Sequence, residues 1–314
     1  MPSVLPEVSI AIVNWNTRDL LRECLMSLRT EAQTLALEVI VVDNASTDQS
    51  VEILEPEFPE VRWVRNAANA GFAAATNQGL RLARGAYWCL LNSDTEVLPG
   101  ALARLRQELE RGQDLLVVGP QLLNTDRSLQ PSGRRFPSWL RMAGEMFYPP
   151  AGKDSRGWLR FMFGRTDFSQ PAWVDELSGA CLLARRETFE RVGFIDEAYF
   201  LYFEEVDWFR RLAASGGRAR YVPEAQVIHH WGGSASQAAE ASVLANARSA
   251  FYYWRKFHGV GALLALRGLF ILRALLGLAG KTAVTLVGLL PWSTLAARAR
   301  MQLNLLRLAL GVSA

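Results

Sequence analysis

Cysteine and histidine are scarce: three of each in 314 residues. Cys24, Cys89 and Cys181 lie far apart in apolar surroundings. That excludes a dense disulfide framework and points to a reducing compartment. No zinc-site spacing of Cys and His occurs. No G-x-G-x-x-G follows the first apolar run, and G-x-x-x-x-G-K-[ST] is absent. A dinucleotide site and a P-loop are therefore disfavoured. The N-terminal MPSVLPEVSI lacks a basic region and a long apolar run, so no signal peptide is expected. Acidic residues stop at Glu240.

Half the residues are apolar, enough for one large core or two smaller ones. The net charge of +3 hides a split. Up to Glu240 there are 25 Lys and Arg against 31 Asp and Glu; beyond it there are nine basic residues and no acid. The basic residues of the tail sit among Leu, Ala and Gly. That suits an anionic membrane surface and disfavours nucleic acid.

Apolar runs of strand length alternate with helical spacing through the first hundred residues. Val8 to Val13, Glu38 to Val42, Val61 to Val64 and residues 87–91 read as strands. Residues 18–28, 49–54 and 73–84 read as helices, with Thr47 or Asp48 capping the second. This β-α-β-α-β-α-β order predicts a Rossmann-like, mostly parallel α/β sheet. Its strand ends carry Asn14, Asp43, Asn44, Asn66 and the Asn92-Ser93-Asp94 turn. Asn and Asp there are ordinary turn formers; all on one rim, they also suit a ligand. A helix is expected over 101–111 and a strand over 115–119. Residues 124–139 read as a loop in which Arg134 and Arg135 could meet phosphate, while 140–170 show no clear period. A loop and then a strand are expected over 174–185. Two short strands are expected over 221–223 and 226–228, ending in His229-His230.

Glu204, Glu205 and Asp207 follow an aromatic run and open a helix. Capping explains such residues. A buried pair of carboxylates also prepares a general base. A carboxylate at Asp94 and a histidine at a strand end together suit a divalent cation.

Seven segments in one order, VSIAIVNWN, VIVVDNASTD, NAGFAAATNQG, LLNSDTEV, SGACLLARR, FLYFEEVDWFRR and VIHHWGGS, resemble the inverting nucleotide-sugar glycosyltransferases of the GT-A fold, family-2 type. The bacterial rhamnosyltransferase-like branch is the most similar. The resemblance covers Val8 to Ser236 and implies a GT-A domain over 1–240. It implies nucleotide-sugar binding by Asn14, Asp43, Asn44, Asn69, Gly71, Phe72, Asn77, Asn92, Ser93, Asp94 and Gly179. The family's Asp-x-Asp motif falls on Asn92-Ser93-Asp94, with Asn in the first place. It implies Mn²⁺ or Mg²⁺ on Asp94 and His229, with His230 as the alternative, and no organic cofactor. It implies Glu205 as base with Glu204 as its rival, and Asp207 and Arg210 as supports. The expected acceptor is a glycan or a lipid-linked sugar, and dTDP-rhamnose is the favoured donor. A nucleotidyltransferase and an inactive sugar-nucleotide sensor are the alternatives.

Residues 241–314 read as an amphipathic helical extension. At about 100° per residue, Arg255, Lys256, Arg267, Arg273 and Lys281 fall within one arc of roughly 120°. Pro291 separates a second apolar segment. The longest charge-free stretch, Thr282 to Ala297, has 16 residues, short of the roughly 20 needed to span a bilayer. An interfacial hairpin over 252–310 is expected, on the cytoplasmic face of the membrane. Helices packed on the body or in a homo-oligomer are the alternative.

Overall fold

The computed structural model describes residues 5–111, 116–147, 155–230, 239–286 and 292–312. Two compact units are present: Met1–Phe136, Asp154–Phe200 and Glu204–Gln237 form one, and Pro137–Lys153, Leu201–Phe203 and Ala238–Ala314 the other.

The first unit begins β1 (Val8–Asn14), α1 (Arg18–Glu31), β2 (Leu37–Asp43), α2 (Ser50–Glu57), β3 (Arg62–Arg65), α3 (Phe72–Leu82) and β4 (Tyr87–Asn92). β3, β2, β1 and β4 lie side by side and parallel. β1 shows why: it has no polar face to expose. Ile10 and Ile12 enter one layer with Leu21, Cys24, Leu25 and Leu28 of α1. Ala11, between them, enters the other with Ala73 and Leu80 of α3. A strand buried on both faces is what parallel sheets with helices on either side require. Each fully buried Leu or Ile contributes about 1.5–3 kcal/mol.

Beyond residue 92 the sheet turns mixed. β5 (Thr95–Val97), α4 (Ala101–Arg111), β6 (Leu116–Leu123), β7 (Leu129–Gln130), α6 (Arg156–Phe163), β8 (Ala172–Val174), β9 (Cys181–Arg185), α7 (Arg186–Val192), α8 (Glu204–Ala214) and β10 (Arg218–His229) complete this unit, and α5 (Trp139–Phe147) belongs to the other. The strand order is β3-β2-β1-β4-β9-β6-β10-β5, with β7 on β6 and β8 on β10. β9 runs antiparallel to β4 and β6, and β5 antiparallel to β10.

Several expectations need correction. The two short strands near 221–228 are one strand, β10, whose register against β6 slips between Val222 and Gln226. Pro223 has no N–H to give the ladder, and the irregularity absorbs it. The segment 140–170 holds α5 and α6, and the loop 124–139 holds β7. Gln49 rather than Thr47 or Asp48 stands at the cap of α2, while Asp48 Oδ1 accepts from the Ser50 N–H at 3.1 Å. α4 is capped from a distance. The buried Glu31 carboxylate accepts from the N–H of Gly100 at 2.5 Å and of Leu102 at 2.9 Å.

The second unit is helical: α5, α9 (Ala239–Leu286) and α10 (Trp292–Leu310). α9 is broken at Gly259, whose φ of 83° and ψ of −179° are not helical. α10 packs on both parts of α9: Asn304 donates to Glu240 at 2.7 Å, and Gln302 abuts Gly277. The single basic stripe does not survive the break, because the two parts no longer share one phase. Arg255 and Lys256 are exposed, whereas Arg267 and Arg273 are half-buried. The side chain of Lys281 lies outside the described residues.

Candidate active site

The rim at the carboxyl ends of β1, β2 and β4 is one hydrogen-bonded network. Asn14 Nδ2 donates to Asp43 Oδ1 at 2.8 Å and to Ser46 Oγ at 3.0 Å. Thr17 Oγ1 donates to Asn14 Oδ1 and shares a hydrogen with Ser93 Oγ, both at 2.7 Å. Asp43 also accepts from the Ser46 N–H, so its two oxygens fix the turn after β2. Beside that turn opens a cleft of about 340 Å³ lined by Asp43, Ser46, Thr47, Arg65 and Asn66 among others.

Asn44 and Asn77 are occupied by the protein itself. Asn44 is buried; its amide binds Asn69 Oδ1 at 2.8 Å and Gly71 O at 3.3 Å, and accepts from Ala70 N at 2.9 Å and Asn66 Nδ2 at 3.1 Å. It shapes the 66–71 loop. Asn77 ties α3 to residues 195–197 through Ile195 and Glu197. Asn69 Oδ1 also accepts from Gly71 N. Gly71 has φ +87°, and a Cβ there would lie 2.8 Å from the Phe200 carbonyl. The next N–H, of Phe72, donates to that carbonyl at 2.7 Å. Only glycine allows this approach of two chains.

Asp94 and His229 meet because of sheet register. β5 pairs His229 with Thr95, one residue after Asp94. His229 Nε2 lies 3.4 Å from Asp94 Oδ1 and 3.4 Å from Asn92 Nδ2. Its Nδ1 lies 2.8 Å from Gln130 Oε1. Gln130 Nε2 donates to Asn124 Oδ1 at 3.0 Å and to the His229 carbonyl at 3.3 Å, which leaves Oε1 as the acceptor. His229 therefore carries its proton on Nδ1 and turns the Nε2 lone pair toward Asp94, an arrangement that orients metal-binding histidines. The Asn92 amide oxygen is buried without a hydrogen-bond partner. A carboxylate oxygen and an imidazole nitrogen 3.4 Å apart fit Mn²⁺ or Mg²⁺. Ser93, between Asn92 and Asp94, turns instead to Thr17. Gln130 was not foreseen: a lone Gln in a two-residue strand carries no sequence signal.

His230, the alternative ligand, meets Glu96 at 2.5 Å. With Glu23 these form a second group whose ligand atoms lie within 4.8 Å of one another. His230 reaches Asp94 through its backbone N–H, 2.9 Å from the Asp94 carbonyl. Ser234, part of the spacing argument for His229, lies outside the described residues.

Segment 176–180 joins this cluster to the carboxylates. The Ala180 carbonyl accepts from Asn92 N at 3.0 Å. A Cβ on Gly179 would lie 3.9 Å from the Glu205 Cβ. Glu204 and Glu205 occupy the first turn of α8, entered through two left-handed residues, Tyr202 and Phe203, each at φ 67°. One oxygen of each carboxyl, Oε2, is buried with no hydrogen-bond partner. Burial pushes both carboxyls above the usual range. In Glu204 the charge of Glu205 adds to this; in Glu205 the N–H groups opening α8 and the Arg134 guanidinium draw it partly back. Asp207, in contrast, is fully buried between Tyr199 Oη at 3.1 Å and Arg211 Nε at 2.8 Å. Arg211 also donates to the carbonyls of Val192 and Phe194, both at 2.8 Å. Arg211 thus supports this loop, and Arg210 lies over the Phe136 ring. The three cysteines are buried and free, and burial pushes the Cys24 thiol up to about 12.

The sequence model described as "Glycosyl transferase family 2" matches residues 9–193. An N-acetylglucosaminyl-diphospho-decaprenol L-rhamnosyltransferase of Mycobacterium tuberculosis is 30% identical over 244 residues, 74% of this chain and 78% of that protein. An O-antigen biosynthesis protein of Myxococcus xanthus is 30% identical over 239 residues, 75% of this chain but 18% of that one. Among solved structures, a mannosyltransferase from Pyrobaculum calidifontis in complex with GDP-Man and Mn²⁺ matches with TM-score 0.54 at 18% identity, over 98% of this chain and 87% of that one. GalNAc-T7 with UDP, GalNAc and Mn²⁺ matches with TM-score 0.55, also at 18% identity, over 77% of this chain and 48% of that one. The chain belongs to glycosyltransferase family 2. It is a glycosyltransferase with the GT-A fold.

Proposed function

We propose that this enzyme transfers a hexose with inversion from a nucleotide-sugar to a hydroxyl of a lipid-linked or growing surface glycan. L-rhamnose from dTDP-rhamnose is the donor favoured by likeness to the mycobacterial relative. The observation that carries the reading is the His229–Asp94 pair, whose tautomer Gln130 fixes. Asp94 and His229 would hold Mn²⁺ or Mg²⁺. When bound, such a cation compensates the charge on the leaving nucleoside diphosphate. Asn14, Asp43, Ser93 and the 66–72 loop form the wall that the nucleotide would meet. Glu205 takes the proton of the acceptor hydroxyl as it attacks the anomeric carbon. Glu204, held more strongly in its neutral form, keeps a second negative charge away. One in-line displacement needs no covalent sugar–enzyme intermediate, unlike retaining hydrolases. Asp207 and Arg211 hold the loop before α8.

The helical unit supports attachment to the cytoplasmic face of a membrane. Residues 240–279 are apolar enough to cross one by length and composition. Gly259 interrupts them, and exposed Val260, Leu264, Leu272, Leu275 and Leu276 with Arg255 and Lys256 suit an interfacial position.

A donor panel with Mn²⁺ and a lipid-linked acceptor tests the function. Release of one nucleoside diphosphate, lost in Glu205→Gln, is expected. Release undiminished in Glu205→Gln would move the base elsewhere. Donor binding without release, with every acceptor tried, would favour a sensor.

A further inference from the structure

Glycosyl transfer assigns no task to Glu23, Glu96 and His230, yet their ligand atoms converge. His230 Nε2 lies 2.5 Å from Glu96 Oε1 and 4.0 Å from Glu23 Oε2. This nitrogen and one oxygen of each carboxylate all lie within 4.8 Å of one another. Both carboxylates thus approach the same ring nitrogen.

Local structure sets this convergence. β5 and β10 run antiparallel, with Ile228 opposite Glu96 and His229 opposite Thr95. The pairing continues one step past β10, where the His230 N–H donates to the Asp94 carbonyl at 2.9 Å. Side chains alternate between the two faces along a strand. His229 therefore turns to Asp94, and His230 shares the other face with Glu96. α1 brings the third group. Cys24 Sγ lies 3.7 Å from Thr95 Oγ1, and Ser27 Oγ accepts from the Val97 N–H at 3.0 Å. These contacts seat α1 on β5, and Glu23, next to Cys24, reaches the His230 ring.

Charge and donor type point to a cation. With both carboxylates ionised the group is net negative, whether or not the imidazole carries a proton. Among the described residues, neither Glu23 nor Glu96 has another cationic side chain within ion-pairing distance. A cation at this point is therefore attracted by both. Glu96 and His230 are half-buried and Glu23 is exposed, so an ion can enter from solvent and keep water. One imidazole and two carboxylates form a donor set for zinc, with ligand atoms about 3.3 Å apart at ordinary Zn–N and Zn–O bond lengths. Shifts of about an ångström or so in the two flexible glutamate side chains reach that spacing. Three protein ligands meet here against two at Asp94 and His229. In the absence of a donor diphosphate, this site has the stronger hold on Zn²⁺.

We propose that Glu23, Glu96 and His230 form a second metal site, for Zn²⁺, which ties α1 to the strand ends carrying Asp94 and His229. The ion is separate from the cation of glycosyl transfer and takes no part in the displacement.

Full-length protein is titrated with zinc chloride by calorimetry, in a buffer that does not bind metal. His229→Gln disables the other site and serves as the background. In it, binding should saturate at one equivalent of Zn²⁺. Adding Glu23→Gln should weaken that binding about tenfold, and adding His230→Gln at least about a hundredfold. Circular dichroism checks the fold of each variant. Glu23 is exposed, so Glu23→Gln gives a folded comparison even where His230→Gln does not. Zn²⁺ should also raise the Tm of His229→Gln, and raise it less once Glu23→Gln is added. In wild type, electron paramagnetic resonance of bound Mn²⁺ reads the other site, and the first equivalent of Zn²⁺ should leave that Mn²⁺ in place. No saturable Zn²⁺ binding in His229→Gln overturns the proposal. So does an affinity that neither Glu23→Gln nor His230→Gln changes. Displacement of Mn²⁺ by the first equivalent would put zinc on Asp94 and His229, and overturns it as well. None of these readings needs turnover, so a donor panel that fails leaves them standing.

Discussion

Gln130 Oε1 lies 2.8 Å from His229 Nδ1, and this contact decides which ring nitrogen faces Asp94. Gln130→Leu removes the acceptor and frees the imidazole to rotate or change tautomer. Mn²⁺ affinity should fall about ten- to hundredfold, as for other lost partners of ligating histidines. A Mn²⁺ titration followed by electron paramagnetic resonance checks this. Unchanged affinity would remove His229 from the ligand set.

Glu204 and Glu205 both have raised pKa values through burial, Glu204 with the further push of its neighbour. The base acts when ionised, so transfer should rise with pH through the raised value. Glu204 stays neutral while Glu205 ionises, so Glu204→Gln should leave that rise where it is. Glu205→Gln should lower kcat at least about a hundredfold at every pH. Stability carries the opposite sign. The folded state holds protons that the unfolded chain releases, so this pair lowers stability as pH climbs above the unfolded carboxyl value of about 4.3. Glu204→Gln should therefore gain in Tm against wild type at pH 8 relative to pH 5. A constant difference would place the pair in water.

Asp207 is fully buried against Arg211, which holds the carbonyls before α8. Asp207→Ala leaves that cation without its partner, a loss of about 3–5 kcal/mol. Urea unfolding measures it. The pH profile of the residual transfer should keep its shape, because Asp207 does not exchange protons with substrate. A shifted profile would return Asp207 to the chemistry.

Glu31 is buried and accepts the first N–H groups of α4. Glu31→Ala strands both donors and should destabilise by about 2–4 kcal/mol; Glu31→Gln, which can satisfy one, should lose less. Equal stabilities in thermal unfolding would mean that water reaches these donors.

The sheet was legible where the code is local. Runs such as VSIAIV and EVIVV are apolar on both faces, and the helices between them have clear spacing. The opening four strands followed from that. β10 was misjudged because Pro223 reads as a stop, although a register slip lets the strand continue. The tail projection failed at Gly259, since a glycine within an apolar helix gives no sign of its φ. Asp94 and His229 were legible as polar residues at strand ends, and the pairing of β5 with β10 brings them within 3.4 Å. Asn44 and Asn77 were legible as polar rim residues, but not as amides used by the distant segments 66–71 and 195–197. Gln130 and Arg211 act through partners more than ten residues away, or across a helix turn, and their types alone predict nothing.

The central claim is a single displacement at the anomeric carbon with Glu205 as base. Proton NMR of the product, made from the donor that the panel identifies, tests it most directly. The account predicts an anomeric configuration opposite to that of the donor, formed from the first turnover. Retained configuration would contradict it, because retention needs a second nucleophile or a front-side path that this reading does not contain.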